Sequence, residues 1–154
     1  MPPENGLAPT FRFRVGWGDI DGNGHMANTA YLDHAADTRV QYLSSQGFTT
    51  ARFVAERIGP VILREEIVYR RELRLNEEYT VDMRSAGLSP DSVRFRIENT
   101  FRDLSGELIA TVTSEGVWFD LDARRPRVPP KDLETVMRDT PRSPAFTDLP
   151  LRGR

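Results

Sequence analysis

The sequence contains no cysteine. Disulfide scaffolds, thiolate catalysis and Cys-ligated zinc or iron–sulfur centres are therefore excluded, and the lack fits a reducing compartment. Lysine is nearly absent as well: 20 of the 21 basic residues are Arg, with Lys131 the exception. Any anion bound here meets planar, bidentate guanidinium groups. Neither sign of charge dominates, since 21 basic and 23 acidic residues leave −2 at pH 7. That balance argues against a globally basic nucleic-acid binder. No run approaches the ~20 apolar residues of a membrane span. The opening MPPENGLAPT has neither the basic nor the apolar region of a secretory signal. The expectation is a soluble cytoplasmic protein with no membrane and no nucleic acid among its partners.

What is present suits one domain. The chain has 154 residues, 38% of them hydrophobic, enough for a modest core. Residues 1–9 are polar and rich in Pro and Gly, and read as a disordered N-terminal segment. Residues 141–154 carry three more prolines and a Gly, and read as a Pro-rich tail. Residues 10–140 between them form the single expected domain.

Within it, Phe11, Phe13 and Val15 alternate with Arg12 and Arg14, a period of two that predicts a strand. Gly16 to Gly24 holds four glycines and two aspartates, the composition of a tight irregular loop. Asn28 to about Ser45 carries Tyr31, Leu32, Ala35, Ala36, Val40 and Leu43 at helical spacing, with Gly47 as the stop. A short helical turn is expected within Thr49–Gly59. Four long strands follow, at 61–73, 78–88, 92–103 and 107–121, and a short helix at about 131–138. The resulting fold class is α+β: a five-stranded antiparallel sheet wrapped around one long helix. One helix covers one sheet face, so a partly apolar second face predicts a homo-oligomer.

The densest polar cluster precedes the long helix: Asp19-Ile20-Asp21-Gly22-Asn23-Gly24-His25-Met26-Ala27-Asn28. Unpaired N–H groups at a helix start can hold a developing oxyanion. Asp and His can serve as nucleophile or general base. Taken singly, Asp19 or Asn28 reads as an ordinary helix cap; together these residues supply the parts for acyl transfer.

The pattern Asp19-x-Asp21-x-x-Gly24-His25-Met26-x-Asn28, followed by Tyr31-Leu32, resembles the signature of hotdog-fold thioesterases of the 4-hydroxybenzoyl-CoA thioesterase-like family. Val68-Tyr69-x-x-Glu72-Leu73, Asn76-Glu77-Glu78, Ile109-Ala110 and Val117-Trp118-Phe119-Asp120 with Pro129 resemble further family segments, so the likeness covers about residues 11–138. The chain departs from the family at Ala27, where a second Asn is usual, and at Glu72, where Pro is usual.

The resemblance implies an acyl-CoA thioesterase that hydrolyses the thioester to free acid and CoA without metal or cofactor. It also implies a homodimer or a homotetramer built as a dimer of dimers, with sites at the subunit interface. Carried over by position, Asp21 is the catalytic carboxylate and Asn23 and His25 assist it. The N–H groups of Met26, Ala27 and Asn28 are the oxyanion and substrate-binding candidates. The substrate is an acyl-CoA or an acyl-carrier-protein thioester. The competing reading is a non-catalytic hotdog module that binds acyl thioesters or mediates assembly; the intact Asp21, Asn23 and His25 set speaks against it. Arg70, Arg71, Arg94 and Arg96 are candidates for the CoA phosphates. Glu65, Glu66 and Glu72 read as an ion-pair ladder with the neighbouring arginines. His34 reads as structural, and Asp19 as a holder of the loop through backbone N–H groups. Phe48, Phe53 and Trp17 are candidate pocket walls.

Overall fold

The structure is a computed structural model and describes residues 7–151. Residues 1–6 of the expected disordered segment, and 152–154 of the expected tail, lie outside the described residues. In chain order the elements are β1 (Thr10–Arg14), α1 (Asn28–Ser45), α2 (Thr50–Glu56), β2 (Ile58–Tyr69), β3 (Glu78–Asp82), β4 (Arg84–Leu88), β5 (Arg94–Asp103), β6 (Leu108–Asp120), β7 (Arg125–Pro126), α3 (Lys131–Asp139) and β8 (Arg142–Asp148).

The long helix has the bounds its apolar spacing predicts. It ends in a Schellman motif: the Phe48 N–H donates to Leu43 O at 2.8 Å and the Gly47 N–H to Ser44 O at 3.1 Å. Gly47 takes φ = 95°, which a side chain would oppose. The buried face differs slightly from the apolar stripe. Tyr31, Ala35, Thr38 and Tyr42 are buried, whereas Val40 is 45% exposed. Thr38 can sit inside because its hydroxyl donates to His34 O at 2.9 Å. Thr49 caps α2, its Oγ1 accepting the Arg52 N–H at 3.2 Å.

The sheet runs β2–β6–β5 through antiparallel pairs. The far edge of β5 is shared by β3 and β4, with β1 outside β3 and β8 outside β4. The fold class is the expected one, but among the described residues the sheet has eight strands rather than five. The predicted strand 78–88 divides at Met83, where the pairing with β5 passes to side chains: the Thr100 N–H donates to Asp82 Oδ1 at 3.0 Å and Asn99 Nδ2 to Asp82 O at 2.9 Å. The expected tail also pairs. Arg142–Asp148 forms β8 alongside β4. The Ser85 N–H donates to Pro141 O at 2.8 Å and the Leu149 N–H to Leu88 O at 3.1 Å. Prolines at 141, 144 and 150 do not prevent this, because an edge strand tolerates a missing N–H.

Packing divides along α1 into two clusters. Met26, Tyr31, Leu73, Tyr79 and Phe101 gather round its first half. Tyr42, Phe48, Phe95, Trp118 and Met137 gather round its second. At ~1.5–3 kcal/mol for each fully buried large apolar side chain, both halves of the helix are anchored.

The β5–β6 hairpin is closed by Asp103. Its Oδ1 accepts from the Ser105 hydroxyl at 2.6 Å, the Ser105 N–H at 2.9 Å and the Glu107 N–H at 3.0 Å. Arg71 Nη1 donates to its Oδ2 at 2.6 Å. These bonds, that of the Ser105 hydroxyl foremost, hold the carboxyl down to about 2. A folded value below the unfolded ~3.9 stabilises the native state above that pH, and the contribution fades as pH falls. Asp103→Asn is therefore expected to flatten the loss of stability between pH 4 and pH 2. Urea melts across that range check it; an unchanged slope contradicts it.

Candidate active site

The loop before α1 is built by its backbone. The Asp21 N–H donates to His25 O at 3.1 Å and the Gly24 N–H returns to Asp21 O at 3.1 Å. Of the four loop glycines, only Gly24 takes a left-handed φ, 81°. The Asn23 N–H donates to Asp21 Oδ1 at 2.8 Å, which fixes that carboxylate and leaves Oδ2 without a hydrogen bond among the described residues. Asp19 locks the other side of the loop. Its Oδ2 accepts the Gly16 N–H at 3.0 Å, and its Oδ1 lies 3.1 Å from His34 Nε2.

His25 stands between two carboxylates. Its Nδ1 is 4.0 Å from Asp21 Oδ2 and its Nε2 is 3.5 Å from Glu72 Oε2. Glu72 Oε1 in turn accepts from Arg74 Nη2 at 3.0 Å. The ion-pair ladder expected of Glu72 is thus only half the picture, since its other oxygen faces the imidazole. The chain's own spacing hid this contact, because the two residues lie 47 positions apart and meet only once β2 folds beside the loop.

The three N–H groups expected to hold an oxyanion are not equivalent. The Met26 N–H donates to Leu73 O at 2.7 Å and the Ala27 N–H to Asp19 O at 2.8 Å. Both are spent on tying the loop to its surroundings, as a nearly fully buried Met26 requires. Asn28 opens α1, and its N–H has no acceptor among the described residues. The oxyanion reading therefore contracts to Asn28.

A cleft of about 280 Å³ opens here, lined by His25, Asn28, Tyr31, Tyr69, Arg70 and Glu72 among others. Asp21, 4.0 Å from His25, and the exposed Asn23 are not among the residues that line the cleft. Tyr69 donates from its hydroxyl to Asn28 O at 3.2 Å, which joins the end of β2 to the helix start. Burial pushes the Tyr31 phenol up to about 12, so it remains a donor at neutral pH.

The arginines separate by their partners. Arg71 is held by Asp103 and Glu77 at 2.6 and 3.0 Å, and Arg96 by Glu115 at 2.6 Å. Arg94 donates to Pro150 O at 3.0 Å. Arg70 lies on the cleft with no acidic partner among the described residues.

A second cavity, about 460 Å³, lies at the other end of α1. Phe48, Phe53, Phe95, Trp118 and Met137 line it, so two of the three expected pocket aromatics face a cavity. The third, Trp17, is 81% exposed and lines neither. Among the described residues, the one charged wall residue is Arg39, whose Nη1 donates to Asn99 Oδ1 at 3.2 Å and Ser114 Oγ at 3.1 Å. Burial lowers its pKa, and Glu65 partly offsets that.

No curated protein matches the chain. Among solved structures, a Staphylococcus aureus protein in complex with CoA superposes with a TM-score of 0.80 at 20% identity, covering 92% of this chain and 90% of its own. The 1,4-dihydroxy-2-naphthoyl-CoA thioesterase of Synechocystis gives 0.77 at 17% identity, with coverages of 86% and 97%. A gentisyl-coenzyme A thioesterase gives 0.74 at 20% identity, with coverages of 83% and 98%. At such identities the likeness establishes the hotdog fold. The family model of the Thioesterase-like superfamily matches residues 15–137 of the sequence itself. Spanning most of the chain, that match makes it a member of the Thioesterase-like superfamily.

Proposed function

We propose that the chain is an acyl-CoA thioesterase whose reacting groups are Asp21, His25 and the Asn28 N–H. The observation that carries this reading is the free N–H of Asn28, at a helix start and on the same cleft as His25, while its two predecessors are occupied. A free donor there meets the carbonyl oxygen of a thioester and strengthens its hold as negative charge develops.

In this reading a water loses one proton to Asp21 Oδ2 and its oxygen adds to the thioester carbon. The carbonyl electron pair moves onto oxygen, held by the Asn28 N–H. The pair then returns, the C–S bond breaks, and CoA leaves as a thiolate that collects the proton. Thioester and water become carboxylic acid and CoA. His25, between Asp21 and Glu72, orients the water and passes the proton. Arg70, the cleft arginine without an acidic partner, meets a CoA phosphate.

The assembly in this reading is a homodimer joined along β2. One edge of β2 pairs with β6, and the other has no partner among the described residues. Leu63 (62% exposed) and Tyr69 (43%) lie along this strand. The edge also carries the exposed Arg64, Glu65 and Glu66, and its unpaired backbone groups can pair with a second copy. Ile62 and Tyr69 are about 23 Å apart along one strand, but an antiparallel partner strand lies only ~4.8 Å away. A two-fold through the middle of β2 therefore brings the reacting cleft of one protomer beside the 460 Å³ cavity of its partner.

Thiol release from acyl-CoA by wild type and His25→Ala tests the scheme. His25→Ala is expected to lower kcat about 10- to 100-fold, less than loss of the principal base. An unchanged rate removes His25 from the scheme, and abolished turnover makes it the principal base.

A further inference from the structure

Resting on the thioesterase reading and its β2-paired dimer, we infer that the substrate's acyl group is an apolar group of up to about fifteen carbons, seated in the partner's cavity at the second half of α1. The walls set its polarity. Ala36, Leu43, Phe53, Ile58, Phe95 and Trp118 present hydrocarbon and aromatic surface. The single charge, on Arg39, is drawn to Asn99 and Ser114 of the sheet. Arg39 bonds only to these two neutral groups and has no acidic ion-pair partner among the described residues, so the rest of the wall, not this one position, sets the apolar character.

The volume sets the size. A cavity of about 460 Å³ falls in the ~300–1,000 Å³ range of small-molecule sites. Allowing ~30 Å³ for each methylene-sized group, the share of a water molecule in the liquid, it holds about 15 groups when completely filled. That share already includes the space between groups, so about 15 is the upper limit. A two-carbon acyl group leaves most of the cavity empty; a chain of sixteen carbons exceeds it.

The mouth agrees with that use. Val40 and Val54 are 45% and 64% exposed at the cavity wall, an apolar rim open to an entering chain. Phe53 stacks on Trp118 at 5.7 Å with 14° between planes, a flat wall that suits a fused ring as well as an extended chain. Straight-chain and fused-ring acyl groups share this chemistry, and the experiment separates them.

The experiment measures kcat/KM for butyryl-, octanoyl-, decanoyl-, palmitoyl- and 2-naphthoyl-CoA. The expected maximum lies at decanoyl- or 2-naphthoyl-CoA, at least tenfold above butyryl-CoA. Ala36→Phe, which fills the cavity from α1, is expected to lower the decanoyl-to-butyryl ratio at least tenfold. Val54→Phe at the exposed rim does the same should Ala36→Phe fail to fold. A flat profile, or a profile that neither variant moves, overturns the inference while leaving the thioesterase reading intact. Should the wild type release CoA from none of these substrates, that reading fails, and decanoate binding decides the inference separately. Decanoate raising the wild-type Tm, butyrate not doing so, and either variant removing the effect support the cavity assignment; no decanoate effect overturns it.

Discussion

Asp21→Asn is expected to lower kcat for acyl-CoA hydrolysis about a thousandfold, within the range for loss of a general base. That is about 4 kcal/mol of transition-state stabilisation. The fold is expected to stand, for a specific reason. Asp21 Oδ1 accepts the Asn23 N–H at 2.8 Å, and the amide oxygen of Asn can accept the same bond. The other oxygen, Oδ2, faces His25 at 4.0 Å without a hydrogen bond of its own, so its loss costs chemistry rather than structure. Steady-state thiol release and a thermal melt on the same sample separate the two effects. Unchanged kcat removes Asp21 from the mechanism, and a collapsed Tm means the carboxylate is needed by the loop.

The largest structural effect is expected at Gly116 in the middle of β6. This strand is sandwiched, with Gly116 opposite Ile62 of β2 and Phe95 of β5. A Cβ there would stand 2.5 Å from Val61 O and 2.9 Å from the Phe95 ring. The ring can turn aside, but the carbonyl belongs to the backbone of β2, beside the shift in register between Ile62 and Arg64. Relief requires prising β2 from β6. Gly116→Ala is expected to cost about 3 kcal/mol, the upper end of overpacking effects, and to lower Tm by about 10 °C. It also displaces Pro60 and Ile62 at the cavity wall, so turnover of long acyl-CoA substrates should fall further than turnover of short ones. A Tm within a degree of wild type contradicts this account of the β2–β6 contact.

Much of this architecture was legible in the residues. The spacing from Tyr31 to Leu43 and the glycine at 47 marked the long helix, because helix burial follows a period that survives any tertiary context. The alternation in 93–97 marked β5 for the same reason. What escaped was set by contacts across distance. The predicted strand breaks at Met83 because the side chains of Asp82 and Asn99 take over the pairing with β5. Arg142–Asp148 looks like a tail since its prolines mask an edge strand, whose pairing depends on where β4 lies. At the site, Asp21, His25 and Asn28 were visible as a motif, but the division of labour among the three N–H groups was not. Met26 and Ala27 are occupied by Leu73 O and Asp19 O, acceptors supplied by folding. Glu72 reached His25 by the same route.

The most direct measurement follows CoA thiol and free acid together when the wild-type chain meets decanoyl-CoA. The account expects both to appear one for one, saturably, and at a rate that Asp21→Asn lowers about a thousandfold. Decanoyl-CoA bound but returned intact would instead describe a hotdog module that holds thioesters without cleaving them.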